Sequence, residues 1–418
     1  MRLAALLLAP LLAAAACGQT GTSAENYVVN RQFRRTTLEH SLVNPGNGYS
    51  QLRRERYALP DGSAWESLLA WNPPTERIER FGGDLGTPLS AAAALDIDVS
   101  PDDEAGLIAL GSQAFFRYPV QIFPAASVAV ESAESAARYG VWDDAAQGIG
   151  GLMRVALTNG SVGLGYTCAT CHAVPRSGEL VVGLGNERFD LGRLLVDSGR
   201  SADPSIATAQ RAWGPGRLDV TTTGGREPVR IPDLRAVRWL THLHADATVA
   251  QHDLVTLAVR LETLLITSHG EAVRPPRIVA LALAAYVWSL ADSLPAGVPA
   301  PDERGAATFA TRCAGCHQPP GLTGPPVPLD VVGTDPTLGQ SLDRGTGTYR
   351  VPSLLGVAAR GLLMHDGGIA SLGALLDPSR LDEAYAGGVR PGPVRGHAFG
   401  LDLDERARAD LLMYLSGL

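Results

Sequence analysis

The sequence predicts an all-α fold of two helical units in tandem, with irregular loops and an N-terminal extension ahead of the first unit. Three observations carry this expectation. The pentapeptide pattern Cys-x-x-Cys-His occurs twice, at 168–172 and at 313–317. Ahead of each stands a glycine and, one helical turn later, a phenylalanine: Gly111 and Phe115 in the first unit, Gly305 and Phe309 in the second. Each unit then closes on a segment of helical apolar spacing, Arg277 to Leu294 with Tyr286 and Glu405 to Leu418 with Tyr414.

The elements follow in chain order. Residues 1–17 form an export signal of lipoprotein type: Arg2, an apolar run too short to span a bilayer, then Ala14-Ala15-Ala16-Cys17-Gly18, which is similar to a lipobox with Cys17 as the lipidated residue. Plain cleavage near Ala16 is the alternative. Residues 18–99, rich in Gly, Pro, Asn and Arg, read as a tether and an irregular layer. The first unit covers 100–294. Ser100 as cap, Pro101 at the first helical position and acids in the first turn start a helix that runs through Phe116. In the second unit Cys313 comes four residues after Phe309, whereas Pro119 holds that place in the first. Residues 120–167 are therefore an insertion, a loop or small hairpin laid over the first pentapeptide. Residues 295–302, Pro-rich, form a linker, and 303–418 make the second unit. A further repeated landmark is Ile231-Pro232-Asp233-Leu234 against Val351-Pro352-Ser353-Leu354. It is followed by Thr241-His242-Leu243-His244 in one unit and Leu363-Met364-His365-Asp366-Gly367 in the other.

Cys-x-x-Cys-His is a signature of covalent haem attachment. Each cysteine forms a thioether with the porphyrin and the histidine becomes an axial ligand of the iron. The expectation is thus two haem c groups, one on Cys168, Cys171 and His172, the other on Cys313, Cys316 and His317. A zinc site or a redox dithiol would use the cysteine pairs without requiring a histidine after both. Of the five cysteines the fifth is Cys17, so none remains for a disulfide within the mature chain.

The sixth ligands decide what such haems do, because an iron filled on both sides passes electrons and an open one binds small molecules. The chain has nine histidines and four methionines. His269 and His397 stand at matched distances ahead of Tyr286 and Tyr414, each in a loop before a closing helix, and are the expected metal ligands of the first and second haem. Met364 competes for the second. His242, His244 and His252 compete for the first, and if that haem is open, His244 with Asp246 offers an acid–base pair. Trp213, Trp239 and Trp288 are candidates for bridging the haems, although large aromatics near a porphyrin are usually core packing. Arg188 and Arg217 are candidate propionate partners. The carbonyls of Pro175, Pro319 and Pro320 are candidate acceptors for the proximal imidazoles.

The Gly/Phe helix, the pentapeptide and the closing helix resemble class I cytochrome c domains. The stretch from Tyr349 to Gly368 resembles the di-haem peroxidase and MauG-like superfamily. The loop Gly396-His397-Ala398-Phe399-Gly400 is similar to one in rubber-oxygenase-like di-haem proteins, where the C-terminal haem is bis-histidine. The resemblance implies an all-α pair of cytochrome c domains in which one haem relays electrons and the other is able to react. Electron transfer in the periplasm or on a cell-envelope membrane is the expected function, with a redox partner protein or quinol-linked donor as partner and the lipid on Cys17 as membrane contact. The alternative is a di-haem peroxidase or oxygenase with the first haem reactive. A net charge of −8 argues against nucleic acid, and no phosphate loop, hydrolase triad or nicotinamide fingerprint is present.

Overall fold

In the computed structural model, which describes residues 21–59, 63–201, 203–219, 226–294, 303–388 and 391–418, each unit is organised around one crossing of two helices. In the first unit the helix Glu104–Arg117 crosses the closing helix Arg277–Ser289. The crossing is close because Gly111 has no side chain: a Cβ there would overlap the carbonyl oxygen of Ala282. Phe115 packs edge-on against Tyr286, ring centroids 5.4 Å apart. In the second unit Glu303–Arg312 crosses Glu405–Ser416, a Cβ on Gly305 would overlap the carbonyl of Asp410, and Phe309 lies 5.2 Å from Tyr414. The landmarks noted in the sequence are therefore the contact points of the same crossing made twice.

The closing helix of the first unit is apolar on nearly every face because it is covered on nearly every face. Helix Leu254–Ser268, capped by Asp253, packs on its other side, and Val279 to Ala284 are buried throughout. The first helix begins one turn later than the Ser100 signal suggests: Asp103 is the cap, accepting from the Gly106 amide at 3.0 Å, and the helix ends at Arg117.

The all-α expectation is overturned, since the fold is mixed α/β. Much of the strand content lies in the insertion. Leu152–Ala156 and Val162–Tyr166 form an antiparallel hairpin, flanked by Thr75–Arg77 and Gln121–Ile122 in a four-stranded sheet. The hairpin turn carries Asn159-Gly160, a strong local signal for reversal, and Gly160 has φ +80°. Short ladders also follow each pentapeptide. Ala173–Arg176 pairs with Glu179–Val182 in the first unit, and Gly324–Pro328 with Thr348–Val351 in the second.

The N-terminal layer is also more ordered than its composition suggests. It contains helices Ser23–Val29, Arg31–Ser41 and Gly48–Arg56, capped by Thr22, Asn30 and Asn47. They dock through polar groups as much as apolar ones. Arg34 is buried in a bidentate pair with Glu66, and buried Glu262 accepts from Tyr27 Oη at 2.8 Å and Trp65 Nε1 at 3.0 Å. The export signal with Cys17 and the linker 295–302 lie outside the described residues. No helix among the described residues is long and apolar enough to cross a membrane.

The two units pack directly on one another. Ala236 and Leu294 of the first join the core of the second beside Phe309 and Leu415. The seam has approximate two-fold character: the Arg230 amide donates to the His365 carbonyl at 3.1 Å, and the equivalent Arg350 amide donates to the Ala245 carbonyl at 2.9 Å. Such reciprocity is what duplicated surfaces produce when they associate face to face. Asp233 pins the seam, held by Arg235 of its own unit at 2.7 Å and by Arg360 of the other at 3.0 Å.

Candidate functional site

A single cavity of about 1030 Å³ runs through the seam and is reached by both pentapeptides. That exceeds the roughly 300–1,000 Å³ of an ordinary small-molecule pocket. Cys168, Cys171 and His172 border it from the first unit, and Cys313, His317 and His397 from the second. Its walls are largely apolar: Phe115, Leu257 and Leu283 on one side, Leu376, Leu411 and Leu415 on the other.

Local structure sets the histidines. Cys168–His172 forms one short helical turn, and in the second motif the amides of Cys316 and His317 both return to the Cys313 carbonyl. His172 Nδ1 lies 3.0 Å from the Pro232 carbonyl, and His317 Nδ1 lies 3.1 Å from that of Leu322, with the Pro352 carbonyl also within its reach. A neutral imidazole that donates from Nδ1 keeps the Nε2 lone pair for a metal. Burial favours the neutral form, holding His172 down at about 4 and lowering His317 as well. The acceptors are therefore not Pro175, Pro319 and Pro320, which are exposed; the repeated Ile-Pro/Val-Pro landmark supplies Pro232 and Pro352 instead.

Burial raises the thiols of Cys168 and Cys171 to about 12 and that of Cys313 to about 11. Reactive dithiols are tuned the other way. No cluster of three or more His, Cys, Asp or Glu side chains suited to a metal occurs among the described residues, so the cysteine pairs do not converge as a zinc site requires.

His397 faces His317, with ring centroids 6.5 Å apart. An imidazole–metal bond is about 2 Å long, so two such bonds and the ring halves behind them fill that gap. The residues thus fit an iron held between two imidazoles. His397 is half-buried, its ring meets those of Phe399 and His317, its Nδ1 has no partner among the described residues, and desolvation holds its pKa down at about 4. Its backbone lies in the left-handed region at φ +45°, which favours glycine or asparagine. Arg380 holds it there. This guanidinium, fully buried, donates to the carbonyls of Leu375, Val394, Gly396 and His397, while the His397 amide donates to Val332 at 2.6 Å.

His269 is placed differently. Its Nε2 lies 3.0 Å from the Pro119 carbonyl, its ring meets Trp71 edge-on, and it does not border the cavity. His242 is bonded to Thr241, and His252 is exposed. His244 does border the cavity, but both its nitrogens are engaged, Nδ1 with Thr248 at 2.6 Å and Nε2 with Arg260 at 2.8 Å. Asp246 is joined to it through Thr248 and is paired with Arg344. Met364, equivalent to His244 by duplication, shares its left-handed backbone, φ +69° against +67°, and borders the cavity.

Trp213 lines the cavity, Trp239 packs against Gly321 at the seam, and Trp288 packs on the first core. Arg188 is exposed, and Arg217 is committed to the carbonyls of Asp366 and Gly367. Sequence reasoning missed Arg230, Arg350 and Arg380. A signal existed for the first two, since an arginine immediately precedes each copy of the Ile-Pro/Val-Pro landmark.

Comparison with known proteins adds little. No protein family matches the chain, and no characterised protein matches it in sequence. Among solved structures, a MauG-like protein associated with microbial copper homeostasis is similar over 50% of this chain and 79% of that one, at 20% identity and a TM-score of 0.35.

Proposed function

We propose that this chain is an exported di-haem c-type oxidoreductase. Cys168, Cys171 and His172 hold one haem, and Cys313, Cys316 and His317 hold the other. When bound, these groups supply one-electron couples and, wherever an axial position is open, a site for a small oxidant such as peroxide or dioxygen. The observation that carries the reading is the asymmetry of the histidines. His397 faces His317 at 6.5 Å and closes the second site for electron carriage. His269 is turned onto Pro119, and His244, bonded at both nitrogens, is the one other histidine that the first unit brings to the cavity among the described residues. The first site is therefore the one that takes an exogenous ligand.

The apolar side chains of Leu257, Leu261 and Leu264 from one helix exclude water from the first site. Electrons reach it through the second unit from a redox partner protein or quinol-linked donor, with a lipid on Cys17 keeping the protein at the cell envelope.

Intact-mass measurement of exported protein, followed by absorption and electron paramagnetic resonance spectra with and without cyanide, tests the reading. Two haem additions, one low-spin centre inert to cyanide and one high-spin centre that binds it, are expected. A chain without haem overturns the proposal. Two low-spin centres indifferent to cyanide would leave a plain electron carrier, which is the second reading.

A further inference from the structure

The polar belt of the cavity has too many cations for its acids. Arg344 is paired with Asp246 and Arg360 with Asp233, but Arg230 and Arg350 have no carboxylate within ion-pair distance among the described residues. Arg230 spends its Nε on the Met364 carbonyl across the seam, at 3.0 Å. The Arg350 side chain has no protein partner at all among the described residues, and its Nε is buried. Both side chains border the cavity. Both are enclosed deeply enough for desolvation to pull them down, to about 9 for Arg230 and about 10 for Arg350, with Arg360 lowering each further. An unpaired enclosed ion costs several kcal/mol, and two close together repel. Asp233 and Glu187 act on Arg230, and Asp246 on Arg350, without pairing with them directly, and they offset only part of this, so a further anion between the two arginines stabilises both.

Position identifies the anion. Arg230 lies two residues before Pro232, whose carbonyl holds His172, and Arg350 lies two before Pro352, beside His317. The two arginines are equivalent by duplication, and their amides make the reciprocal bonds across the seam. Each is therefore tied to one pentapeptide and reaches toward the other unit. A porphyrin attached at the cysteines carries its two carboxylates on the edge away from the thioethers.

We propose that Arg230 and Arg350 form a carboxylate cradle on the seam, holding the propionate groups of the two porphyrins so that these edges face each other. This rests on the haem reading above and adds to it the orientation of both groups. A free inorganic or organic anion has the same chemistry and is the alternative occupant.

The test uses the exported holoprotein with R350Q, R230Q, R350K and, as a control outside the cavity, R188Q. The readout is the midpoint potential of each haem by spectroelectrochemistry, with haem content from intact mass. A cation beside a porphyrin favours the reduced form, so R350Q and R230Q are expected to shift the oxidised-to-reduced ratio at least about tenfold toward oxidised, about 59 mV for a one-electron couple. R350K is expected to recover most of that, and R188Q to leave the potentials unchanged. Unshifted potentials in R350Q and R230Q with both haems retained overturn the cradle. Should R350Q accumulate poorly, R230Q and R350K read the same quantity. In the wild type, added phosphate or acetate is expected to match an ionic-strength control of potassium chloride. A saturable shift would assign the arginines to an exchangeable anion and overturn the porphyrin assignment. Absence of haem in the wild type fails the functional reading first and is distinguishable by mass alone.

Discussion

Replacing Arg380 by alanine should detach His397 without touching it. The guanidinium is fully buried and gives its protons to four carbonyls, two of which belong to Gly396 and His397. Hydrogen bonds to a charged group contribute about 1.5–3 kcal/mol each. Water can replace part of this in a loop near the surface, so a net loss of about 3–5 kcal/mol is reasonable, as for other broken buried charged contacts. The spectroscopic consequence is smaller and better defined. Holding His397 in the left-handed region stores about 1–3 kcal/mol, which the freed loop releases on relaxing. At 1.36 kcal/mol per tenfold, the balance between attached and detached imidazole moves by about 10- to 100-fold. The assay is the high-spin fraction of ferric R380A protein, scaled to H397G as the fully detached reference. Thermal melts separate local detachment from global unfolding, and R380K tests for partial rescue. If H397G changes the spectrum and R380A does not, Arg380 does not position the ligand.

Three further outcomes follow from the same geometry. H269A should leave both haem spectra unchanged and cost about 1 kcal/mol from the lost contact with Pro119; a new high-spin signal would restore His269 as a ligand. G111A and G305A should each destabilise the protein by about 1–3 kcal/mol or more in denaturant titrations, because the added methyl meets a backbone carbonyl of the closing helix that cannot swing away; tolerance of both would mean that the helices separate easily. Burial alone would raise the carboxyl of Asp233, but Arg360 and Arg235 outweigh it and hold the group down at about 2. A depressed carboxyl contributes stability that is present above its ordinary value near 4 and is lost as pH falls toward 2, here about 2 kcal/mol. D233N should lose that amount at pH 7 and flatten the acid limb of the stability curve; an unchanged limb refutes the assignment.

How far the sequence could be read depends on the range of the interaction. The pentapeptides, the Gly111 and Gly305 crossings and the Tyr286 and Tyr414 contacts were legible because each is a short pattern repeated in order. The small hairpin expected within 120–167 is present and turns at Asn159-Gly160, but its extension into a four-stranded sheet with Thr75–Arg77 and Gln121–Ile122 depends on long-range pairing that carries no local signal. The N-terminal helices were harder to read because they are short and largely polar: the buried face of Arg31–Ser41 is made of Arg34, Leu38 and Ser41, so its period is carried as much by an ion-paired arginine as by apolar residues. His269 was drawn in by its spacing from Tyr286, yet spacing fixes a position along the chain and leaves side-chain direction open. In the structure the ring turns onto the Pro119 carbonyl and does not border the cavity.

The duplication explains why the arginines matter more than composition suggested. Every basic side chain of this chain apart from histidine is arginine. In the structure, buried arginines make the long-range joints: Arg360 on Asp233 between the units, Arg217 on the carbonyls of Asp366 and Gly367, Arg344 on Asp246, Arg380 on the His397 loop. A planar fork of five donors holds several carbonyls at once, which an ammonium does less well. At one pair of equivalent positions, Arg230 and Arg350, both copies of the unit place a cation on the seam, whereas Leu355 and Leu240 stand opposite Arg235 and Arg360 in the duplication. Repulsion between Arg230 and Arg350 persists unless each acquires a carboxylate or carbonyl. Arg235 and Arg360 found Asp233, and Arg217 found carbonyls. Arg230 has one carbonyl, that of Met364, and no carboxylate; Arg350 has neither among the described residues, and the two border the cavity beside both pentapeptides.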